Sequence, residues 1–238
     1  MSHSPRTNAR SPKRRLALRR ALAQQAGHDI IACLEPLASE ARQRRLKEVI
    51  AKRLKNVTLV MDAPHDPHNG AAIMRSCDAF GVYTVHVVER QEAFAASGAV
   101  ARGTERWVDV LAHTEVDDAV ATLRRGGYTL VGTHPEGELL PQDLRAIDRL
   151  ALVMGNEHDG ICEALAKACD KMVRVPMRGF VESLNVSVAA GILLGFATLQ
   201  RPGDLDAAEQ KRLYARGLIL TVPRALDILA ERGIELAV

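Results

Sequence analysis

Residues 57–89 read VTLVMDAPHDPHNGAAIMRSCDAFGVYTVHVVE, and this stretch carries the pattern that decides the fold. The β-branched runs at 57–62 and 83–89 are typical of buried strands. The apolar residues between them recur at three- and four-residue spacing, which predicts a helix over about 70–80. Two strands joined by a crossover helix usually lie parallel in one sheet, so the stretch predicts an α/β fold.

The same alternation of strands and helices continues to about residue 200. This order favours a parallel sheet with helices on both faces. Two further short helices are predicted within 206–238. The predicted strands are 57–62, 83–89, 106–112, 128–134, 150–155 and 172–176, and the helices between them lie at about 70–80, 115–125, 160–169 and 184–200.

The charge of the chain is unevenly distributed. Residues 1–55 carry 14 Lys and Arg against 4 Asp and Glu, whereas the rest of the chain carries 18 against 25. A basic segment ahead of an acidic body usually binds a polyanion, although the first dozen residues have the composition of a disordered tail. We therefore predict a basic helical arm over 1–55, an α/β domain over 56–205 and a helical C-terminal extension over 206–238.

The composition argues against several other classes of protein. The chain has no run of 18 apolar residues, so no membrane span is predicted. Its four cysteines show no CxxC spacing, which is typical of reduced thiols in a cytoplasmic protein and not of a zinc site. Aromatic residues make up only 3%, so base stacking is not expected to be its main way of binding nucleic acid. The Arg-rich, acid-free start leaves a mitochondrial transit peptide open as an alternative.

The helix predicted over about 70–80 carries an arginine inside its apolar stripe. Asn69 is predicted as its N-cap and Gly81 as the residue that stops it. Arg75 and Asp78 are three residues apart, so one interpretation is an ion pair on a solvated face, worth about 0.3 kcal/mol. The other interpretation is that Arg75 acts on a substrate.

Glycines and polar residues cluster where three later strands are predicted to end. Ligands of open α/β sheets bind beyond the carboxyl ends of the strands, so we expect one ligand there, contacted mainly by backbone. The alternatives are that Gly155 and Asn156 form only a turn and that Ser183 only caps the next helix. The three segments are LVGTHPEG (130–137), LVMGNEHDG (152–160) and VPMRGFVESLNVS (175–187).

The first turn from strand to helix argues against a conventional dinucleotide site. Such a site needs G-x-G-x-x-G after the first strand, whereas the turn here reads DAPHDPHNG. Glu89 falls where a ribose-binding acid would lie at the end of the second strand, and it keeps that alternative open.

The segment VSVAAGILLGFATL (186–199) is small and apolar on nearly every face. A helix without a polar face is buried all round, and a second copy of the chain is a plausible cover for part of it. Gly191 and Gly195 would permit close approach of another helix. We therefore expect a homodimer.

Three segments resemble the motifs of the SPOUT class of RNA methyltransferases, and within it the TrmH-like family of tRNA and rRNA ribose 2′-O-methyltransferases. They are HNGAAIMR (68–75), VMGNEHDGI (153–161) and VPMRGFVESLNVS (175–187). They occur in this order within about 56–200, and the third is the most specific. The resemblance implies a SPOUT fold with a C-terminal trefoil knot, S-adenosylmethionine (AdoMet) bound in the knot, and a homodimer packed through the helix after SLN and the region of the first motif.

The resemblance also implies roles for individual residues, while no metal is expected. Arg75 would stabilise the alkoxide that develops on the ribose oxygen or act as a base, and the first role suits a guanidinium that stays protonated. The implied catalytic residues are Arg75, Asn69, Glu157, Ser183 and Asn185, the cofactor-binding residues are Thr133, Gly155, Val175 and Leu184, and the residues expected to contact RNA are Arg14, Arg15, Arg19, Arg20 and His68.

The expected RNA follows from the shape of the N-terminal arm. The rRNA-modifying relatives often carry a separate α/β domain there, for which 1–55 is too short and too basic. The arm resembles that of the tRNA-modifying branch, so the expected target is the guanosine at position 18 in the D-loop of tRNA. Methylation of rRNA stays open, and so does a catalytically inactive RNA-binding homologue.

Overall fold

The computed structural model describes residues 27–89 and 107–234. The chain divides into two compact units. Among the described residues, the larger unit comprises 52–89 and 107–204, and the terminal segments 27–51 and 205–234 together make the smaller one. No helix within the described residues is long and apolar enough to cross a membrane.

The larger unit is built on a parallel sheet. Its strands are β1 (Val57–Asp62), β2 (Thr84–Val88), β3 (Asp109–His113), β4 (Thr129–Thr133), β5 (Leu150–Met154) and β6 (Lys171–Val173). Their order in the sheet is β3-β2-β1-β5-β4-β6, with every neighbouring pair parallel. All six predicted strands are confirmed within three residues at each end, and so is the parallel sheet.

The helices confirm the predicted alternation. Those of the larger unit run between successive strands and after β6, and those of the terminal unit come from both ends of the chain. They are α1 (His28–Leu34), α2 (Glu40–Ile50), α3 (Pro67–Ala79), α4 (Val116–Arg125), α5 (Glu163–Ala168), α6 (Val186–Thr198), α7 (Ala207–Thr221) and α8 (Ala225–Glu231), with 3-10 turns at Glu35–Leu37 and Pro141–Ala146.

The helices cover both faces of the sheet, as predicted. Leu59 and Met61 of β1 pack with α3 and α6 in one core, whereas Val60 packs with α4 and α5 in the other. Successive strand residues point to opposite faces, so a sheet with two buried faces must be apolar at nearly every position. Residues 57, 59, 60 and 61 of β1 are all at most 1% exposed.

The start of α3 corrects the predicted N-cap. Asp66 and not Asn69 caps the helix, because the Asp66 carboxylate accepts the backbone N–H of His68 at 2.8 Å. Pro67 then takes the first helical position, where its missing N–H costs nothing. Asn69 is thereby released from capping, and its side-chain amide is available to other partners. The predicted end of the helix at Gly81 is close to the observed one, since α3 ends at Ala79 and Gly81 has φ of 84°.

The surroundings of α6 show which part of this helix one chain buries, while its cover by a second copy stays a prediction. One face packs against α3, where Gly195 lies beside the Phe80 ring and Gly191 beside Ser76. Beside this contact Val188, Phe196 and Leu199 remain 50%, 44% and 55% exposed. The helix has no polar face to present to water, so its exposed face is the part that the fold of one chain leaves uncovered.

The terminal unit joins helices from both ends of the chain. Gly217 of α7 lies against α2, since a Cβ at Gly217 would be 2.8 Å from Cδ2 of Leu46. The Tyr214 hydroxyl donates to Oε1 of Glu35 at 2.7 Å, and Nζ of Lys47 donates to the same oxygen at 2.8 Å. These hydrogen bonds, that of Lys47 first, lower the pKa of the Glu35 carboxyl.

The segment after β6 runs directly beside the loop after β4. The backbone N–H of His134 donates to the Val173 carbonyl at 3.0 Å, and that of Arg174 donates to the Leu139 carbonyl at 3.0 Å. Gly137 lies at the closest approach, where a Cβ would be 2.6 Å from the carbonyl carbon of Val173. Backbone therefore packs on backbone at this crossing. The trefoil knot itself stays a prediction.

We predict that Gly137→Ala lowers the free energy of unfolding by about 1–3 kcal/mol, because the added methyl meets main-chain atoms that cannot swing aside. Gly179→Ala is the matched control, since nothing lies within 4 Å of a Cβ at that position. It should change stability by less than about 0.5 kcal/mol. Urea denaturation of both variants measures the difference, and equal losses would contradict the close packing at Gly137.

Candidate active site

The loops after β4, β5 and β6 surround a cavity of about 180 Å³. All four residues predicted to hold a cofactor line it, and so does Ser183. These loops leave the carboxyl ends of three neighbouring parallel strands, which is where ligands bind in open α/β sheets. The four residues are Thr133, Gly155, Val175 and Leu184.

Gly155 lets the second of these loops fold tightly onto itself. A Cβ at Gly155 would lie 2.2 Å from the carbonyl carbon of Gly160 and 2.5 Å from the nitrogen of Ile161, so no side chain fits. The N–H of Asn156 donates to the Gly160 carbonyl at 3.1 Å and closes the loop. The loop thus forms part of the cavity wall with main-chain atoms.

Two buried polar side chains, which the sequence did not single out as catalytic, hold this loop in place. Oδ1 of Asn156 accepts the backbone N–H groups of His158 and Asp159 at 2.9 and 2.8 Å. Oδ2 of Asp62, at the end of β1, accepts the N–H of Cys162 at 2.6 Å. The turn considered for Gly155 and Asn156 is therefore present, and it lies in the wall of the cavity. The sequence signal that could have identified Asp62 is its place as an acidic residue at the end of an apolar strand.

Asn69, Glu157 and Asn185 form a hydrogen-bonded chain beside the cavity. Nδ2 of Asn69 donates to Oε1 of Glu157 at 2.6 Å, and Oδ1 of Asn69 accepts from Nδ2 of Asn185 at 3.0 Å. Both ends of the Asn69 amide are therefore engaged, which fixes its orientation. The chain links α3, the loop after β5 and the start of α6, so it joins all three sequence motifs.

Asn185 also caps α6. Its Oδ1 accepts the backbone N–H of Ser187 at 2.8 Å and the Ser187 hydroxyl at 2.6 Å. The alternative that Ser183 caps this helix is therefore wrong, because Asn185 occupies the N-cap position. Ser183 lies two residues earlier, in the lining of the cavity.

Arg75 stands apart from this chain of amides. Its side chain is exposed and has no hydrogen-bond or ion-pair partner among the described residues. The surface pair with Asp78 is not present, since Asp78 is bonded to the guanidinium of Arg53, which is itself buried. Arg75 follows Asn69 by six residues, about 9 Å along the helix axis. Helical side chains lean towards the N-terminus, which is the direction of Asn69.

The remaining predicted residues are His68, which the structure describes, and four arginines of the arm, which it does not. His68 lies in the first turn of α3 with an exposed side chain, and nearby His65 meets His158 edge-on at 5.3 Å between ring centres. No group of three or more His, Cys, Asp or Glu that could hold a metal ion occurs in the part of the chain that the structure describes. The arm residues Arg14, Arg15, Arg19 and Arg20 lie outside the described residues.

The sequence of the chain is similar to those of known proteins. The model of the SpoU rRNA Methylase family matches residues 56–195. The tRNA (guanosine(18)-2'-O)-methyltransferase of Escherichia coli (strain K12) is 36% identical over 188 residues, which cover 74% of this chain and 81% of that enzyme.

Solved structures agree with the sequence match. The A. aeolicus TrmH/SpoU tRNA modifying enzyme superposes with a TM-score of 0.69 at 28% identity, over 78% of this chain and 98% of that one. The SpoU methyltransferase AviRb from Streptomyces viridochromogenes, in complex with the cofactor AdoMet, superposes with a TM-score of 0.55 at 29% identity, over 63% and 58%.

The two roles of Asn185 can be separated by substitution. Asn185→Ala removes the cap of α6 and should lower the free energy of unfolding by about 1 kcal/mol. Asn185→Asp keeps an acceptor for Ser187 but cannot donate to Asn69, so it should retain stability within about 0.5 kcal/mol. Urea denaturation of the two variants tests this. If Asn185→Asp lost as much stability as Asn185→Ala, the bond to Asn69 and not the cap would carry the energy.

Proposed function

The chain belongs to the SpoU rRNA Methylase family and is an RNA 2′-O-methyltransferase, and we propose that it transfers the methyl group of AdoMet to a guanosine ribose of tRNA. The main support is the hydrogen-bonded chain of Asn69, Glu157 and Asn185, which lies beside a cavity walled by three loops. Residues from all three sequence motifs meet there. An inactive RNA-binding homologue would have had no need to keep this set.

The cavity suits AdoMet by its construction. Gly155 forms a cradle that any Cβ would fill, and Thr133 and the neighbouring loops add backbone and short polar groups to an otherwise apolar wall. Thr133, Gly155, Val175 and Leu184 would hold the cofactor. When bound, AdoMet supplies a methyl group on a positively charged sulfur, which is reactive towards an oxygen that bears negative charge.

The protein's part in the chemistry is to favour negative charge on the ribose oxygen. A 2′-hydroxyl is a very weak acid, so the developing alkoxide needs a fixed positive group nearby. Arg75 is a cation without a partner among the described residues, and its guanidinium can contact both the oxygen and the adjacent phosphate. It stabilises the alkoxide, while the proton leaves to phosphate or water, because guanidinium itself stays protonated.

The amide chain positions this part of α3. Asn69 is held on one side by Glu157 and on the other by Asn185, so its amide cannot rotate freely. Together with Ser183 it would orient the arginine and the ribose. Glu157 supports the loop after β5 and fixes the rotamer of Asn69. Preorganisation of this kind lowers the cost of bringing the reacting atoms into line.

The RNA is proposed to be tRNA. The E. coli relative is a tRNA (guanosine(18)-2'-O)-methyltransferase, and the basic arm over 1–55 would neutralise phosphates. His68 lies exposed at the start of α3, where it would contact the same substrate. The family description names rRNA, so an rRNA fragment is the competing substrate.

We further propose that the enzyme is a homodimer that covers the exposed face of α6. In sedimentation at micromolar concentration it should show about twice its 25.9 kDa mass. Phe196→Glu places a charge in the proposed contact and should yield monomers, because a buried unpaired charge is costly. Leu37→Glu is the control and should stay dimeric, because Leu37 is an exposed apolar residue of the terminal unit, outside the proposed contact. A dimeric Phe196→Glu would contradict the assignment of this face.

Arg75 provides the test of the proposed function. With unmodified tRNA transcript and AdoMet, the wild type should methylate one D-loop guanosine in single-turnover reactions. Arg75→Ala should lower the rate by roughly 10²-fold or more, the scale of losing one preorganised donor, while AdoMet affinity measured by calorimetry stays unchanged. Arg75→Lys should restore little, because an ammonium lacks the planar fork.

The matched control is Arg125→Ala, an exposed arginine on α4 that lies on the opposite face of the sheet and should keep the full rate. Retained chemistry in Arg75→Ala would end the catalytic role. Methylation of an rRNA fragment, but not of tRNA, would replace the substrate while leaving the reaction in place.

A further inference from the structure

The charge of the cavity is set by one side chain. Among the described residues that line it, Glu182 is the single carboxylate and none is lysine or arginine, while His134 is the other titratable group. Glu182 lies next to Ser183 in the third motif. Its carboxylate has no hydrogen-bond or ion-pair partner within the described part of the chain.

A cavity with this lining favours a positively charged ligand. The nearby cations do not offset the carboxylate inside it. Arg174 is bonded to the Gly137 carbonyl, and Arg178 is an exposed residue of the loop that does not line the cavity. Most of the remaining wall is apolar or glycine, so few other groups compete with Glu182 for a cation.

We propose that Glu182 makes the cavity select the sulfonium form of the cofactor over its spent thioether form. This inference rests on the proposed AdoMet site. AdoMet carries one net positive charge at neutral pH, because its sulfonium and ammonium outweigh its carboxylate. S-adenosylhomocysteine lacks the sulfonium charge and is neutral overall. A carboxylate in the wall of the cavity therefore attracts the first more strongly than the second.

The preference for the positively charged form favours the cofactor before methyl transfer over the product after it. During transfer the bond between sulfur and the methyl carbon breaks, the electron pair stays on sulfur, and a bond forms between that carbon and the ribose oxygen, whose proton leaves to solvent. The positive charge on sulfur disappears in this step. The attraction by Glu182 is lost with it, so the protein holds the product less tightly than the incoming cofactor.

The experiment measures binding of three ligands by calorimetry in the absence of RNA. They are AdoMet, S-adenosylhomocysteine and sinefungin, an analogue with an ammonium in place of the sulfonium. Glu182→Gln should lower the affinity for AdoMet and for sinefungin by about fivefold, the effect of one solvent-exposed charge pair. The affinity for S-adenosylhomocysteine should not change. The difference should shrink in molar salt.

Two further variants make the result specific. Glu182→Asp keeps the charge and should keep most of the preference for AdoMet. Glu136→Gln removes the same charge from the neighbouring loop at a position that does not line the cavity, and it should change none of the three affinities. Because both glutamates are exposed, neither substitution is expected to disturb folding.

The outcomes separate this inference from the proposed function. Equal weakening of all three ligands in Glu182→Gln would place the carboxylate at the amino-acid end of the cofactor and overturn the selection. No change in any of them would overturn it as well. If the wild type bound none of the three, the proposed cofactor would be wrong and the inference would fall with it.

Discussion

Backbone packed directly on backbone is the constraint from which the cavity follows. At Gly137 the loop after β4 touches the main chain of Val173, and at Gly155 the loop after β5 touches the main chain of Gly160. Neither contact leaves room for a side chain. The contact at Gly155 lies in the wall of the cavity, where the loop after β5 contributes main-chain atoms. The polar side chains that also line the cavity are Thr133, His134, Asn156, Glu182 and Ser183, and the other side chains of the wall are apolar.

One ion pair decides the availability of the proposed catalytic arginine. Asp78 lies three residues after Arg75 and would be its natural partner on the helix surface. The buried Arg53 takes that carboxylate instead, through its guanidinium, and also donates to the Asp78 carbonyl at 3.2 Å. Arg75 is left exposed without a partner in the described chain. A cation in that state can bind a phosphate or an alkoxide without first breaking a bond to the protein.

The local sequence pattern was sufficient to predict the strands but not to predict the site. The β-branched runs placed all six strands, because burial on two faces demands continuous apolar sequence. Asn69 and Asn185 are 116 residues apart and meet only through the fold, so no spacing rule could join them, and only the resemblance to a family did. The cap at Asp66 was readable from the Asp-Pro pair ahead of the helix. The exposed face of α6 could not be predicted from the sequence. The helix is apolar all round, so its sequence does not indicate which side a neighbour covers.

Helix α6 ties the proposed subunit contact to the active site. Its N-cap is Asn185, whose side chain also holds Asn69, and it carries exposed Phe196 three turns later. The two residues are 11 positions apart, about 16 Å along a rigid rod. A partner that packs on Phe196 would therefore restrict the tilt of α6, and the N-cap of the same helix orients the Asn69 amide. Since a tilt of a few degrees moves the end of such a helix by about an ångström, a subunit contact at Phe196 would also constrain the geometry of the amide chain.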